Sequence, residues 1–125
     1  MSHIHISDGI IPPIWWILGY IICLTVVFLI IKKADLEKIR PKVPAIAMMA
    51  AVMLVTMSVP LGFLPFHLNF AALAGMILGP GLGFVSVFVV NLILALLGHG
   101  GITVVGINTL VIGIESILGG ILFKY

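Results

Sequence analysis

The sequence predicts an all-α integral membrane protein with about five transmembrane or half-spanning helices, and three observations predict it. Hydrophobic residues make up 62% of the chain and charged residues only 8%. A soluble domain carries about 25% charged residues, so the polar side chains here are too few to cover a water-facing surface. The mean hydropathy is +1.39. Finally, apolar runs of membrane-helix length are separated by proline, glycine and one basic cluster.

The first run, IWWILGYIICLTVVFLII at 14–31, is roughly 27 Å long as a helix, close to the ~30 Å hydrocarbon core. Trp15, Trp16 and Tyr20 stand near its start, as an interfacial aromatic belt would. It reads as a retained helix and not as a cleaved signal. No Lys or Arg precedes it, it exceeds a signal h-region, and no small-residue cleavage pattern precedes Lys32. KKADLEKIRPK at 32–42 is then the only charged loop. The second helix is expected at 44–59, with Pro44 in its first turn and Pro60 stopping it. After the connector LGFLPFHLN, a short third helix is expected at 68–78, broken by GPGLG at 79–83. A fourth is expected at 84–97, broken by GHGG at 98–101, and a fifth at 102–123. Eleven of the fourteen glycines lie from Gly75 onward. The spacing of Gly75, Gly79 and Gly83 is a small-xxx-small pattern that lets helix backbones approach. The whole chain, 1–125, reads as one transmembrane domain. It has an N-terminal metal-binding segment at 1–13, an added first helix at 14–31 and a packed helical core at 44–125.

Five of the six basic residues fall at 32–42. This is a topology signal that puts that loop in the cytoplasm. Alternating from it gives an outer N-terminus, outer His67 and His99, and inner 79–83 and Lys124, in a multi-pass plasma-membrane protein. All four histidines (His3, His5, His67, His99) fall on the outer side of this map. No other basic face exists, which argues against nucleic acid. The single cysteine, Cys23, excludes an internal disulfide and reads as a buried inert thiol.

The chain opens MSHIHISDGI. A free amine, a deprotonated backbone amide and an imidazole can chelate one divalent cation. Short chelate rings hold such nitrogens in a plane that suits Ni(II) or Cu(II). Met1-Ser2-His3 permits four nitrogens. With Met1 removed, Ser2-His3 permits three, and an imidazole from His67 or His99 completes the square. The same histidines also fit plain hydrogen bonding to lipid or water. Asp8-Gly9 reads as a turn, with Asp8 either capping or orienting an imidazole. Asn108 fits a hydrogen bond to a neighbouring helix or to a loop that forms the site. Glu115, the one carboxyl deep in a helix, fits a partner-paired or protonated group at a subunit contact, or an ion relay. Asn91, Thr25, Thr56, Ser58 and Ser86 read as packing or back-bonded residues.

HISDGIIP at 5–12, HLNFAALAGMILGP at 67–80 and HGGITVVGINTLVIG at 99–113 together resemble a known family. It is the CbiM/NikM-type substrate-binding membrane component of energy-coupling-factor transporters for cobalt or nickel. The resemblance runs in order across the whole chain. It implies a transported Co(II) or Ni(II), with cobalt slightly favoured for cobalamin biosynthesis, held near the outer surface by nitrogen ligands. By motif match His5 takes the family's N-terminal histidine position and His67 the second ligand, with His99 and Asn108 in support. The partners implied are a transmembrane coupling subunit, ATP-binding subunits and a small accessory membrane subunit, besides membrane lipid. The chain itself has no GxxxxGK[ST] loop and no HExxH, and reads as a non-enzyme. Three departures stand out. The family starts Met-His, whereas here MSHI precedes His5, so either His3 takes the role by proximity to the Met1 amine or His5 takes it with different partners. Ser7 and Val111 replace residues common in the family. The family is also longer by roughly two helices, so the chain reads as a C-terminally short version of its fold. The rival reading is a structural or assembly subunit built on glycine packing, without a metal site.

Overall fold

The computed structural model describes residues 5–59 and 69–124. All regular structure among them is helical: α1 Pro13–Lys33, α2 Leu36–Ile39, α3 Val43–Ser58, α4 Ala71–Leu78, α5 Pro80–Leu96 and α6 Val105–Leu122, with a 3-10 turn at Arg40–Lys42. Among the described residues three stretches are long and apolar enough to cross a membrane: Pro13–Lys33, Leu36–Ser58 and Val105–Leu122. This is the all-α membrane architecture the composition predicts.

Local chemistry sets the boundaries, and several differ from expectation. α1 starts on a first-turn proline and takes Lys32 and Lys33 into its last turn, where cations oppose the negative end of the helix dipole. The basic segment is not a loop. Asp35 caps a single helical turn by accepting the Glu37 N–H at 3.1 Å. The 3-10 turn then leads directly into α3. GPGLG is not a five-residue break either. Gly79 alone leaves the helical region, at φ +92°. Pro80, which needs no N–H donor partner, starts α5 immediately. α6 starts three residues later than the sequence suggests, because residues 101–104 form a turn that receives Asp8.

α6 is the central helix: half of its apolar span is buried, against 17% of the spans containing α1 and α3. α4 and α5 pack along it through glycine. A methyl group added at Gly75 would collide with the Ser116 carbonyl, and one at Gly119 with the Ala72 carbonyl. Gly83 sits under the Ser116 hydroxyl. Gly79, by contrast, faces open space and serves only as the helix break. α1 joins the other flank where Gly106 meets the backbone of Gly19 and Tyr20. Met49, Met53 and Met57 of α3 lie one helical turn apart and fill a core with Leu78, Val87, Val90, Leu94 and Ile112. Cys23, Val27 and Phe84 form a second cluster, so the thiol is buried as expected.

Thr25, Thr56, Ser58 and Ser86 bond back to carbonyls three or four residues earlier, as read from the sequence. Glu115 has a partner within its own chain. Its Oε2 accepts from Asn69 Nδ2 at 2.8 Å, while Asn69 Oδ1 caps α4 through the Ala71 N–H at 2.9 Å. α4 is short, so its cap lies beside the middle of α6.

Candidate functional site

Residues 5–12 lie across the end of α5 and the start of α6, held by three polar side chains, Asn91, Thr103 and Asn108. The strongest fastening is Asn108, which is 3% exposed. Its Oδ1 accepts the Ile6 N–H at 3.0 Å and its Nδ2 donates to the Ile6 carbonyl at 3.2 Å. The Gly101 N–H also donates to that carbonyl, at 3.1 Å. The Ile6 peptide groups therefore pair as if with a neighbouring strand, although no sheet is present among the described residues.

His5 is fixed next to this clamp. Its Nε2 lies 2.9 Å from Asn91 Oδ1. The Asn91 amide, 2% exposed, is oriented by its Nδ2 donating to Thr109 Oγ1 at 3.3 Å. An amide oxygen only accepts, so this contact fits the tautomer with the proton on Nε2. The ring seats against Gly100, at φ +88°, where an added Cβ would stand 3.0 Å from His5 Cβ. The glycine serves both the turn and the close approach.

Asp8 anchors the far side. Its carboxylate accepts from the Thr103 N–H at 2.9 Å, from the Thr103 hydroxyl, and from the Ile102 N–H at 3.2 Å. The Thr103 hydroxyl first and the Thr103 amide second hold the carboxyl below its usual range against burial, with the Ile102 amide contributing least. Gly101 lies under Asp8, and the Tyr20 hydroxyl donates to the Ile102 carbonyl, tying α1 to the same loop. Among the described residues Asp8 binds the 101–103 turn, and the one imidazole at the segment, His5, meets Asn91.

His99 closes the end of α5. Its N–H donates to the Leu94 carbonyl at 2.8 Å and the Gly98 N–H to the Ala95 carbonyl at 3.1 Å, a Schellman motif with Gly98 at φ +84°. The His99 side chain is exposed and makes no hydrogen bond among the described residues. Among those residues no three His, Cys, Asp or Glu side chains converge. Met1, His3 and His67 lie outside them.

Sequence reasoning placed His5, Asp8 and Asn108 at the site and missed Asn91, Thr103 and Thr109. Asn91 carried a signal: it is an amide between apolar neighbours, in a helix that ends at the turn carrying His99.

The family model described as the cobalt uptake substrate-specific transmembrane region, CbiM, matches residues 5–125. A Methanosphaera stadtmanae protein provisionally named cobalt transport protein CbiM is 31% identical over 127 residues, covering 93% of this chain and 54% of its own length. A Methanosarcina barkeri protein provisionally named cobalt transport protein CbiM 1 is 34% identical over 116 residues, covering 88% of this chain and 50% of its own. The chain spans about half the length of the curated relatives it matches. No solved structure matches it.

Proposed function

The chain belongs to the CbiM family of cobalt-uptake transmembrane regions, and from that premise we propose that it is a substrate-binding membrane subunit that captures Co(II), or less favourably Ni(II), for uptake. His5 and His67 supply imidazole nitrogens. The N-terminal amine of Met1, with His3, supplies the rest of a nitrogen set, and planar nitrogen ligation suits both metals. The site faces outward, the 32–42 segment faces the cytoplasm, and the plasma membrane holds the chain. ATP is hydrolysed by separate ATP-binding subunits acting through a transmembrane coupling subunit, with a small accessory membrane subunit alongside.

One observation carries the reading: the His5 Nε2 lies 2.9 Å from the oxygen of a buried amide that is itself hydrogen-bonded to Thr109. Metal-ligating histidines commonly donate their second ring nitrogen to such an acceptor, which fixes the ring and raises its basicity as a ligand. A histidine that only meets lipid headgroups needs no buried acceptor. The Asn108 clamp on Ile6 supports the same reading, because it holds the chain from which the imidazole projects. Asp8, Asn108 and the His99 turn support the site without being ligands.

The test is isothermal titration of Co(II) and Ni(II) into the purified chain with its native start. It is compared with a form blocked at the amine and with His3→Ala, His5→Ala and His67→Ala. Loss of binding in the His5 and His67 variants is expected. Equal affinity in every form would leave a structural or assembly subunit as the function. A difference between the His3 and His5 variants assigns the N-terminal imidazole.

A further inference from the structure

The end of the bundle opposite His5 holds a cleft of about 500 Å³ between the end of α1, the α2 turn and the α4–α5 junction. Lys33, Lys38 and Lys42 stand on its walls with a single carboxylate, Asp35, and its apolar sides include Leu78 and Leu82. The Lys38 ammonium lies 3.4 Å from Asp35. Lys33 and Lys42 are in no ion pair among the described residues, so the cleft carries an excess of positive charge. The α5 N-terminus opens onto the same space through Pro80 and Gly81. Its first amide donors lack intrahelical acceptors and carry the positive end of the helix dipole. Cations above apolar walls, at the level where a span ends, match a molecule with an anionic head and a hydrocarbon body.

We propose that this cleft binds the phosphate headgroup of an anionic phospholipid, with Lys33 and Lys42 as the principal contacts and the acyl chains lying against the apolar walls. In the orientation proposed above the cleft opens on the cytoplasmic leaflet, where anionic lipids give a negative surface potential. The inference does not depend on the metal site, because it uses none of its residues.

The test titrates phosphatidylglycerol, phosphatidylcholine and inorganic phosphate into the detergent-purified chain. Bound lipid is read by native mass spectrometry and stabilisation by thermal unfolding. Phosphatidylglycerol is expected to bind and stabilise where phosphatidylcholine and inorganic phosphate do not. Lys33→Gln/Lys42→Gln is expected to weaken it on the order of tenfold or more. Lys33→Arg/Lys42→Arg should retain binding, which separates loss of charge from misfolding. The charge-matched control Lys32→Gln/Lys124→Gln removes two cations that do not line the cleft and should leave affinity unchanged. Equal binding of both lipids, equal stabilisation by inorganic phosphate, or equal loss in the control pair would each overturn the proposal.

Discussion

Asn108 grips both peptide groups of Ile6, accepting its N–H at 3.0 Å and donating to its carbonyl at 3.2 Å, across 102 residues of sequence. This side chain does for the N-terminal segment what a strand partner does in a sheet. It is buried, so replacing it leaves the Ile6 N–H without a protein acceptor.

Asn108→Leu is therefore expected to cost about 1–3 kcal/mol locally, the penalty for leaving a buried donor unsatisfied. The N-terminal segment should detach before the bundle unfolds, because the glycine contacts of α4 and α6 are untouched. Hydrogen exchange would check this: the Ile6 and Gly101 amides should exchange faster in the variant, with α6 amides beyond Gly113 unchanged. Because Asn108 holds the backbone from which His5 projects, Co(II) affinity should fall roughly 10- to 100-fold.

The Asn91 amide makes a separate prediction, because it selects a tautomer. Asn91→Asp keeps the acceptor facing His5 Nε2 and should preserve metal affinity. Asn91→Leu removes it and frees the ring to protonate on either nitrogen, with an expected loss of about tenfold or more. Nitrogen-15 chemical shifts of the His5 ring would read the tautomer directly. The wild-type pattern should show the proton on Nε2, and the Leu variant a mixture.

These residues also show what could be read without coordinates. Apolar run length gave α1, α3 and α6 to within three residues, because a membrane span needs a fixed length of hydrocarbon. The α4–α5 junction was misjudged because GPGLG contains three glycines, and composition does not tell which one must adopt positive φ. Pro80 decided it by starting a helix at once. Asn108 and Asp8 were legible as polar residues with nowhere apolar to go. Asn91 was passed over as packing, and Glu115 was left between a subunit contact and an ion relay. In both cases the partner, His5 or Asn69, is remote in sequence, and helical periodicity carries no information about such pairs.

Asp8 predicts a pH dependence. Its folded pKa lies below the ordinary 3.8, so the Thr103 and Ile102 bonds favour the ionised form. The anchoring it contributes is fully present above the unfolded pKa and is lost as pH falls through the folded one. Exchange at the Ile102 and Thr103 amides, corrected for intrinsic rates, should therefore stay flat from neutral pH to about 4 and rise below it. Asp8→Asn, which cannot be protonated in this range, should show no such rise.

The glycines of the core make the last prediction, because two of them oppose substitution for different reasons. Alanine has the better intrinsic helix propensity, by about 1 kcal/mol, so a mid-helix Gly→Ala change with room for a methyl should stabilise. Gly75 has no room: the methyl would fall on the Ser116 carbonyl, which belongs to the α6 backbone and cannot rotate away as a side chain can. Gly75→Ala should cost about 3 kcal/mol or more, at or beyond the upper range for over-packing, and should separate α4 from α6. Gly79 has open space but adopts φ +92° with ψ 162°, a conformation almost confined to glycine, so Gly79→Ala should cost about 1–3 kcal/mol of backbone strain. Unfolding of the two variants in a mixed-detergent titration would rank them. If Gly79→Ala proved the more damaging, the tight contact of α4 on α6 would not be what holds this half of the bundle together.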